Sequence, residues 1–274
     1  MLQPKSSVRP PAVAGTFYPG ESSELAQSLA QMLDTAAHGA PRRAVPKALI
    51  APHAGYVYSG PVAASVYALL APARRSITRV VLLGPTHRVA VRGLALPGTQ
   101  AFATPLGMVE IDPAAVEILH KLPQVTVSAQ AHALEHSLEV HVPFLQTVLE
   151  RFTLVPLAVG QASAQEVAEV LDALWGGAET LIVVSSDLSH YLSYGDAQAV
   201  DRATAKAILG LASDLSHEQA CGATPVTGLT QTARRRRLKP ELIDLRNSGD
   251  TAGDKNRVVG YGAFAFYEET RDAR

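Results

Sequence analysis

The sequence contains little sulfur and little charge. Of its 274 residues one is a cysteine, Cys221, and 18% are charged, with 24 basic and 25 acidic side chains. A single cysteine excludes a disulfide framework and a zinc site built from cysteines alone. The net charge of −1 removes the whole-chain electrostatic attraction on which binding to nucleic acids and anionic membranes depends. We therefore expect neither of these partners.

Long apolar runs are also missing. The longest are the size of a strand, well short of the roughly 20 residues that a membrane span needs. Residues 1–15 lack the apolar core of a signal peptide, so a cytoplasmic location is the expectation. Hydrophobic residues nevertheless make up 47% of the chain, enough to build a large core, and nine residues are histidines.

Short apolar runs alternate with amphipathic segments along the chain. The runs predict strands at 48–51, 80–83, 93–96, 108–111, 153–159, 181–184, 241–247 and 258–267. The amphipathic segments predict helices at 22–37, 61–71, 137–150, 163–175, 196–211 and 224–237, with a short one after Asp112-Pro113. This order is typical of an α/β fold, a mostly parallel or mixed central sheet with helices on both faces. We expect the two last strands to pair antiparallel, and one domain over 1–274.

Histidines follow three of the predicted strands at equivalent positions. His53 and His87 each come a few residues after a strand, and His190 comes three residues after Asp187, which itself follows a strand. The carboxyl ends of parallel strands meet at one edge of a sheet, where ligands bind. Imidazole is the commonest metal ligand and the usual acid or base near neutral pH. The spacing therefore predicts one shared metal or proton-transfer site.

The segment 132–141 is dense in further candidates. It begins with H-x-x-E-H, the pattern in which two histidines one helical turn apart hold zinc while glutamate acts as the base of a protease. That hypothesis gives the three strand-end histidines no role. We favour a second hypothesis, in which His136, with Glu139 or His141, lines the strand-end site and supports it.

Two other residues have a functional and a structural interpretation. Tyr58 lies in the loop predicted at 52–60 and either contacts a ligand or anchors a packed turn. Cys221 precedes a predicted helix, whose N-terminus would favour a metal-binding thiolate, but most free cysteines are small buried hydrophobes. The motifs G-x-G-x-x-G, Walker A and G-x-S-x-G do not occur in the sequence, so we predict no nucleotide cofactor.

Six ordered motifs carry a family resemblance. They are PAVAGTFYP at 11–19, APHAGYVYSG at 51–60, LGPTH at 83–87, EHSLEVHVPF at 135–144, SSDLSHY at 185–191 and CG at 221–222. Together they resemble the Memo family, whose bacterial and archaeal members are called AmmeMemoRadiSam system protein B. With YGA at 261–263, the resemblance covers nearly the whole chain.

The resemblance implies a fold like the catalytic subunit of class III extradiol ring-cleavage dioxygenases, which are non-haem Fe(II) enzymes. By the matching motifs, His53, His87 and Cys221 would be the metal ligands, and His190, flanked by Asp187, would take the place of the acid/base histidine. A thiol in place of the carboxylate of the usual triad shifts the preference towards copper or low-potential iron and is itself oxidisable. Ring cleavage is therefore not carried over.

Two hypotheses about function follow from the resemblance. The first is a metal-dependent oxidoreductase that acts on a small substrate, with Fe(II) or copper and with zinc as a third option. In it, His190 is oriented by Asp187 and moves protons. The second is a non-catalytic metal-binding or adaptor protein. The resemblance also implies, in prokaryotes, association with a radical-SAM protein and an AMMECR-type protein.

Overall fold

The structure is a computed structural model that describes residues 7–37 and 44–269. Its strands are β1 (Val8–Arg9), β2 (Ala48–Ala51), β3 (Arg79–Pro85), β4 (Leu94–Leu96), β5 (Ala101–Thr104), β6 (Gly107–Glu110), β7 (Val125–Val127), β8 (Thr153–Val159), β9 (Thr180–Ser185), β10 (His190–Leu192), β11 (Lys239–Asn247) and β12 (Val258–Tyr267). Residues 1–6, part of the segment without a signal-peptide pattern, lie outside the described residues, as does the end of the predicted domain at 270–274.

Helices lie in most of the longer intervals between the strands. They are α1 (Ser22–Ala37), α2 (Tyr56–Tyr67), α3 (Pro113–Leu119), α4 (Ala129–Ala133), α5 (His136–Glu139), α6 (Val142–Val148), α7 (Ala164–Ala173), α8 (Tyr194–Leu209), α9 (Ala223–Arg236) and α10 (Ser248–Thr251), with a 3-10 helix at Ala68–Ala73. Among the described residues, no helix has the length and apolar character needed to cross a membrane.

The main sheet is mixed, with a parallel centre. Its strand order is β10-β12-β2-β9-β3-β8-β4-β7, and β11 pairs with the other edge of β12. The neighbours β2, β9, β3 and β8 are parallel, whereas β12 runs antiparallel to β2, β10 and β11. The predicted α/β fold and the antiparallel pairing of the two last strands are confirmed. A smaller sheet has the order β1-β5-β6.

Helices cover both faces of the main sheet because the side chains of its central strands alternate in direction. In β9, Leu181 and Val183 pack with α1, α2 and α6 in one hydrophobic cluster. Ile182 and Val184 pack with α7, α8 and α9 in another. The strands are buried on both sides, which explains their nearly continuous apolar sequence.

The structure corrects the predicted start of one helix. The loop expected at 52–60 is shorter, because α2 already begins at Tyr56 and contains Pro61. Burial of Tyr56 outweighs the turn signals of the glycines and the proline around it. Gly60 lies so close to α1 that a Cβ atom there would be 2.6 Å from the sulfur of Met32. That glycine marks a close helix contact rather than a turn.

The helix predicted at 137–150 is two helices. The first, α5, ends at Glu139, and the second, α6, begins at Val142 with Pro143 in its first turn. A proline fits the first turn because its missing N–H would have no partner inside the helix there. The break allows His136 and His141, at the starts of the two short helices, to face different surroundings.

Candidate metal centre

The loops that follow β2, β3 and β9 meet at the carboxyl edge of the sheet. The parallel register sets Ala51 beside Ser185 and Leu83 beside Val184, so the three strands end side by side. As predicted, this brings His53 and His87 together, with 5.2 Å between the centres of their rings. The order of the parallel strands therefore accounts for the meeting of these two histidines.

The third member of the cluster is His136. One ligand nitrogen from each of His53, His87 and His136 lies within 4.8 Å of the other two. The ring of His136 stacks on His87 at 4.8 Å, and it also contacts the ring of Phe17 at 4.8 Å. His53 is buried, while the side chains of His87 and His136 are 31% and 18% exposed. The cluster is therefore closed on the side of His53 and open to solvent on the side of His87 and His136.

Ser185 fixes the protonation state of His53. Its Oγ donates its only proton to the carbonyl of Ser137, at 2.6 Å. The contact of 2.6 Å between Ser185 Oγ and His53 Nδ1 must then be a hydrogen bond that His53 donates. Burial lowers the pKa of His53, so the ring is neutral. A neutral imidazole with its proton on Nδ1 has a lone pair on Nε2, which is the atom a metal requires.

Glu135 plays the same part for the other two histidines. Its Oε1 is 2.9 Å from Nδ1 of His87 and 3.4 Å from Nδ1 of His136, and its Oε2 accepts the backbone N–H of His87 at 2.6 Å. Burial alone would raise the pKa of Glu135. The hydrogen bonds from His87 and from the backbone of Ser137 outweigh burial and lower the pKa to about 2. The ionised carboxylate therefore accepts the Nδ1 proton of His87, which leaves Nε2 of His87 available, and it lies beside Nδ1 of His136, where it favours a proton. Carboxylates hold metal-binding histidines in this way.

His141 lies behind the centre, where it supports His53 through Ser185. Its Nε2 is 2.8 Å from Ser185 Oγ, and its Nδ1 is 2.9 Å from the hydroxyl of Tyr67. Because the proton of Ser185 is already donated, His141 must donate from Nε2 and accept the Tyr67 proton at Nδ1. Burial lowers the pKa of His141 to about 3, which keeps the ring neutral.

Glu139, the alternative to His141 as a supporting residue, is bound to the N-terminal segment instead. Its buried carboxylate pairs with Arg9 and accepts the hydroxyl of Tyr18 at 2.5 Å and the backbone N–H of Val13 at 3.0 Å. Arg9 also donates to the carbonyl of Glu135, at 2.7 Å. Glu139 thus fastens the segment that contains the first family motif to the helix that carries His136.

Cys221 lies beside His53 and outside the cluster of three histidines. Its Sγ is 3.4 Å from Nε2 of His53. The position depends on Gly222, where a Cβ atom would come within 2.5 Å of the carbonyl oxygen of Ser185. Burial, and then the negative charge of Asp187, raise the pKa of the thiol to about 12. In this environment the thiol keeps its proton.

Asp187 and His190 have separate anchors. Asp187 Oδ1 accepts the backbone N–H of His53 at 2.7 Å, and burial raises the pKa of Asp187 to about 7. His190 Nδ1 donates to the carbonyl of Leu188 at 2.8 Å, so its orientation comes from that carbonyl and not from Asp187 as expected. Burial lowers the pKa of His190. The neutral ring therefore carries its lone pair on Nε2.

The two remaining candidates lie on different elements than predicted. Tyr58 is in the first turn of α2, directly after the loop of His53, and is 40% exposed. His132 lies in α4 and contacts the carbonyl of Ala95 through Nε2, at 2.7 Å. Because His132 and His136 belong to separate helices, and Glu135 is bound to the histidines of the centre, the zinc-protease arrangement does not form.

Together, the fold and the site define an α/β protein with a group of three histidines, capable of binding a metal, at the carboxyl ends of its parallel strands. A family model described as Memo-like protein matches residues 9–265, and the chain belongs to this family. A MEMO1 family protein of Aquifex aeolicus is 36% identical over 272 residues, which cover 94% of this chain and 99% of the relative. One of Archaeoglobus fulgidus is 34% identical over 275 residues, with coverages of 94% and 99%.

A solved structure gives a comparison of the fold. The crystal structure of uncharacterized protein JW3007 from Escherichia coli K12 matches with a TM-score of 0.50 at 15% identity, covering 80% of this chain and 98% of that chain. At this identity the match supports the α/β fold and nothing further. The resemblance to the Memo family is confirmed, and the relation to ring-cleavage dioxygenases stays a prediction.

Proposed function

We propose that this chain is an iron- or copper-dependent oxidoreductase that acts on a small substrate at the strand-end centre. The observation that carries the proposal is that three imidazoles lie together, each with a hydrogen-bond acceptor beside its Nδ1 atom. Nδ1 of His53 is hydrogen-bonded to Ser185 and Nδ1 of His87 to Glu135, whose carboxylate also lies 3.4 Å from Nδ1 of His136. One ligand nitrogen of each ring lies within 4.8 Å of the others. Such prior orientation of ligands is what a bound metal needs.

The available donors fit a transition metal. Imidazole nitrogens suit iron, copper, zinc and nickel, and a thiol adds a soft donor that favours copper or low-potential iron. His53, His87 and His136 would hold the metal. Cys221, the third ligand implied by the resemblance, would contribute from the side of His53, since a bound metal removes the proton of a coordinating thiol. Iron or copper, when bound, supplies one-electron chemistry.

Proton transfer in this proposal belongs to His190. Its Nδ1 proton is committed to Leu188, so Nε2 is free to take a proton from a substrate. His190 lies close enough to His53 and His87 for their charges to influence one another. Asp187 anchors the loop of His53, and the exposed edge of His87 leaves a side on which a substrate can approach.

His190→Ala is expected to abolish turnover without removing the metal. Dioxygen uptake would be followed with the metal-loaded protein and a panel of catechols and other small phenols. Loss of a general base slows turnover by about 100-fold or more, while metal content stays unchanged because His190 is not a ligand. His120→Ala, at the exposed C-terminal end of α3, is the matched control.

Two results would contradict this assignment. Equal uptake in wild type and His190→Ala would remove His190 from the mechanism. A fully metal-loaded wild type that consumes no dioxygen with any of these substrates would instead favour the non-catalytic hypothesis, metal binding in an adaptor.

A further inference from the structure

Two buried tyrosines of α2 share one environment and differ in one contact. The rings of Tyr56 and Tyr67 lie on Phe144, at 4.9 and 5.0 Å between ring centres, and both side chains are buried. The hydroxyl of Tyr56 donates to a backbone carbonyl, that of Val140, at 2.6 Å. The hydroxyl of Tyr67 instead donates to an imidazole nitrogen, Nδ1 of His141, at 2.9 Å.

The contact of Tyr67 begins a continuous hydrogen-bonded path to the centre. His141 Nε2 is 2.8 Å from Ser185 Oγ, and Ser185 Oγ is 2.6 Å from Nδ1 of His53. Three hydrogen bonds and one imidazole ring thus separate the phenol from a histidine of the cluster. All four side chains are buried, so water does not interrupt the path.

The nature of the acceptor decides what happens when a buried phenol loses an electron. The oxidised phenol is a far stronger acid than both the resting phenol and a buried imidazolium, so its proton passes to an imidazole within hydrogen-bond distance. Oxidation is therefore easiest where a base within hydrogen-bond distance takes the proton. The lone pair on His141 Nδ1 is such a base, even with a lowered pKa, whereas a carbonyl oxygen is not. Tyr67 meets the condition and Tyr56 does not.

We propose that Tyr67 is a redox-active tyrosine that would give one electron to an oxidised iron or copper ion held at the centre, with His141 as the proton acceptor. The O–H bond of Tyr67 breaks and an N–H bond forms at His141 Nδ1. The products are a neutral tyrosyl radical, an imidazolium and an oxidant reduced by one electron; the return of one electron and the proton restores the phenol. This role rests on the proposed redox function and adds an electron source inside the protein.

The test uses the full chain, as purified and after chelation, with photogenerated tris(bipyridine)ruthenium(III) as the oxidant. Tyrosyl radicals are recorded by electron paramagnetic resonance after freezing. Wild type is compared with Tyr67→Phe, Tyr56→Phe and His141→Asn; asparagine keeps an acceptor oxygen but removes the base. Exposed tyrosines contribute equally to all four proteins, so differences between the spectra isolate the buried residue.

We expect a radical that is present in wild type and Tyr56→Phe and lost in Tyr67→Phe and His141→Asn. A spectrum unchanged by Tyr67→Phe, or reduced as much by Tyr56→Phe, would overturn the proposal. Because the ruthenium complex is the oxidant, protein from which a chelator has removed the metal should give the same signal. Failure to bind a metal would therefore refute the proposed function without changing this readout, which separates the two failures.

Discussion

Replacing Glu135 with glutamine is expected to weaken metal binding by about 10- to 100-fold, the usual cost of losing a partner that orients metal ligands. The carboxylate faces N–H groups on both oxygens: Oε1 meets the Nδ1 atoms of His87 and His136, and Oε2 accepts the backbone N–H of His87. A glutamine side chain turns one of these acceptors into a donor. The amide NH2 of the glutamine then faces an N–H group of His87, and this repulsion moves at least one histidine out of its orientation.

The measurement is a competition titration of iron(II), copper and zinc against a chromophoric chelator under anaerobic conditions. Glu150→Gln is the matched control, because Glu150 pairs with Arg75 on the surface with both side chains exposed. The folded fraction, followed by circular dichroism, should be the same in the three proteins. Unchanged affinity in Glu135→Gln would show that the orientation of His87 and His136 does not depend on the carboxylate.

Arg9→Ala is expected to be the most destabilising of the substitutions considered, lowering the free energy of unfolding by about 3–5 kcal/mol. The guanidinium is 3% exposed and pairs with Glu139, which is fully buried. Removing Arg9 leaves the charge of Glu139 without its partner in a place that water does not reach. It also removes the hydrogen bonds to the carbonyls of His132 and Glu135.

Urea unfolding measures this loss, with Arg75→Ala as the control. The Arg75–Glu150 pair is exposed, so breaking it should cost no more than about 1 kcal/mol. Equal losses in the two variants would mean that the Arg9–Glu139 pair stabilises the fold no more than a surface pair does. A selective loss in Arg9→Ala is also expected to loosen Phe17 from His136 and so to disturb the centre.

Much of the fold was predictable because its central strands and outer helices have clear periods. The bounds of α1, β2, β8 and β12 agree with the sequence prediction. The start of α2 was not predictable, because its glycines and Pro61 are typical of a loop and only the packing of Tyr56 and Gly60 makes the segment helical. Local sequence signals fail where tertiary burial outweighs them.

The site was predictable only where topology determines it. His53 and His87 follow parallel strands, so their meeting follows from the order of the strands. His136 was predicted to line the site from the density of candidates in 132–141, but strand order does not explain its place. That place depends on tertiary packing, in which Ser137 Oγ donates to the carbonyl of Pro85 at 2.8 Å and holds α5 against β3. Tyr67 gave no signal, because a tyrosine in a helix occurs in any core. Ser185 begins the motif SSDLSHY, but nothing in that motif indicated its bond to His53.

Metal content, measured anaerobically on wild type and on His53→Ala, His136→Ala and Cys221→Ser, tests the central claim most directly. The proposal predicts about one iron or copper ion per wild-type chain, loss of the metal in His53→Ala and a clear reduction in His136→Ala. The metal content of Cys221→Ser measures how much the thiol beside His53 contributes to metal binding. His120→Ala should bind as much metal as wild type. A wild-type chain with no stoichiometric transition metal, or full occupancy in His53→Ala, would contradict a metal centre at these histidines.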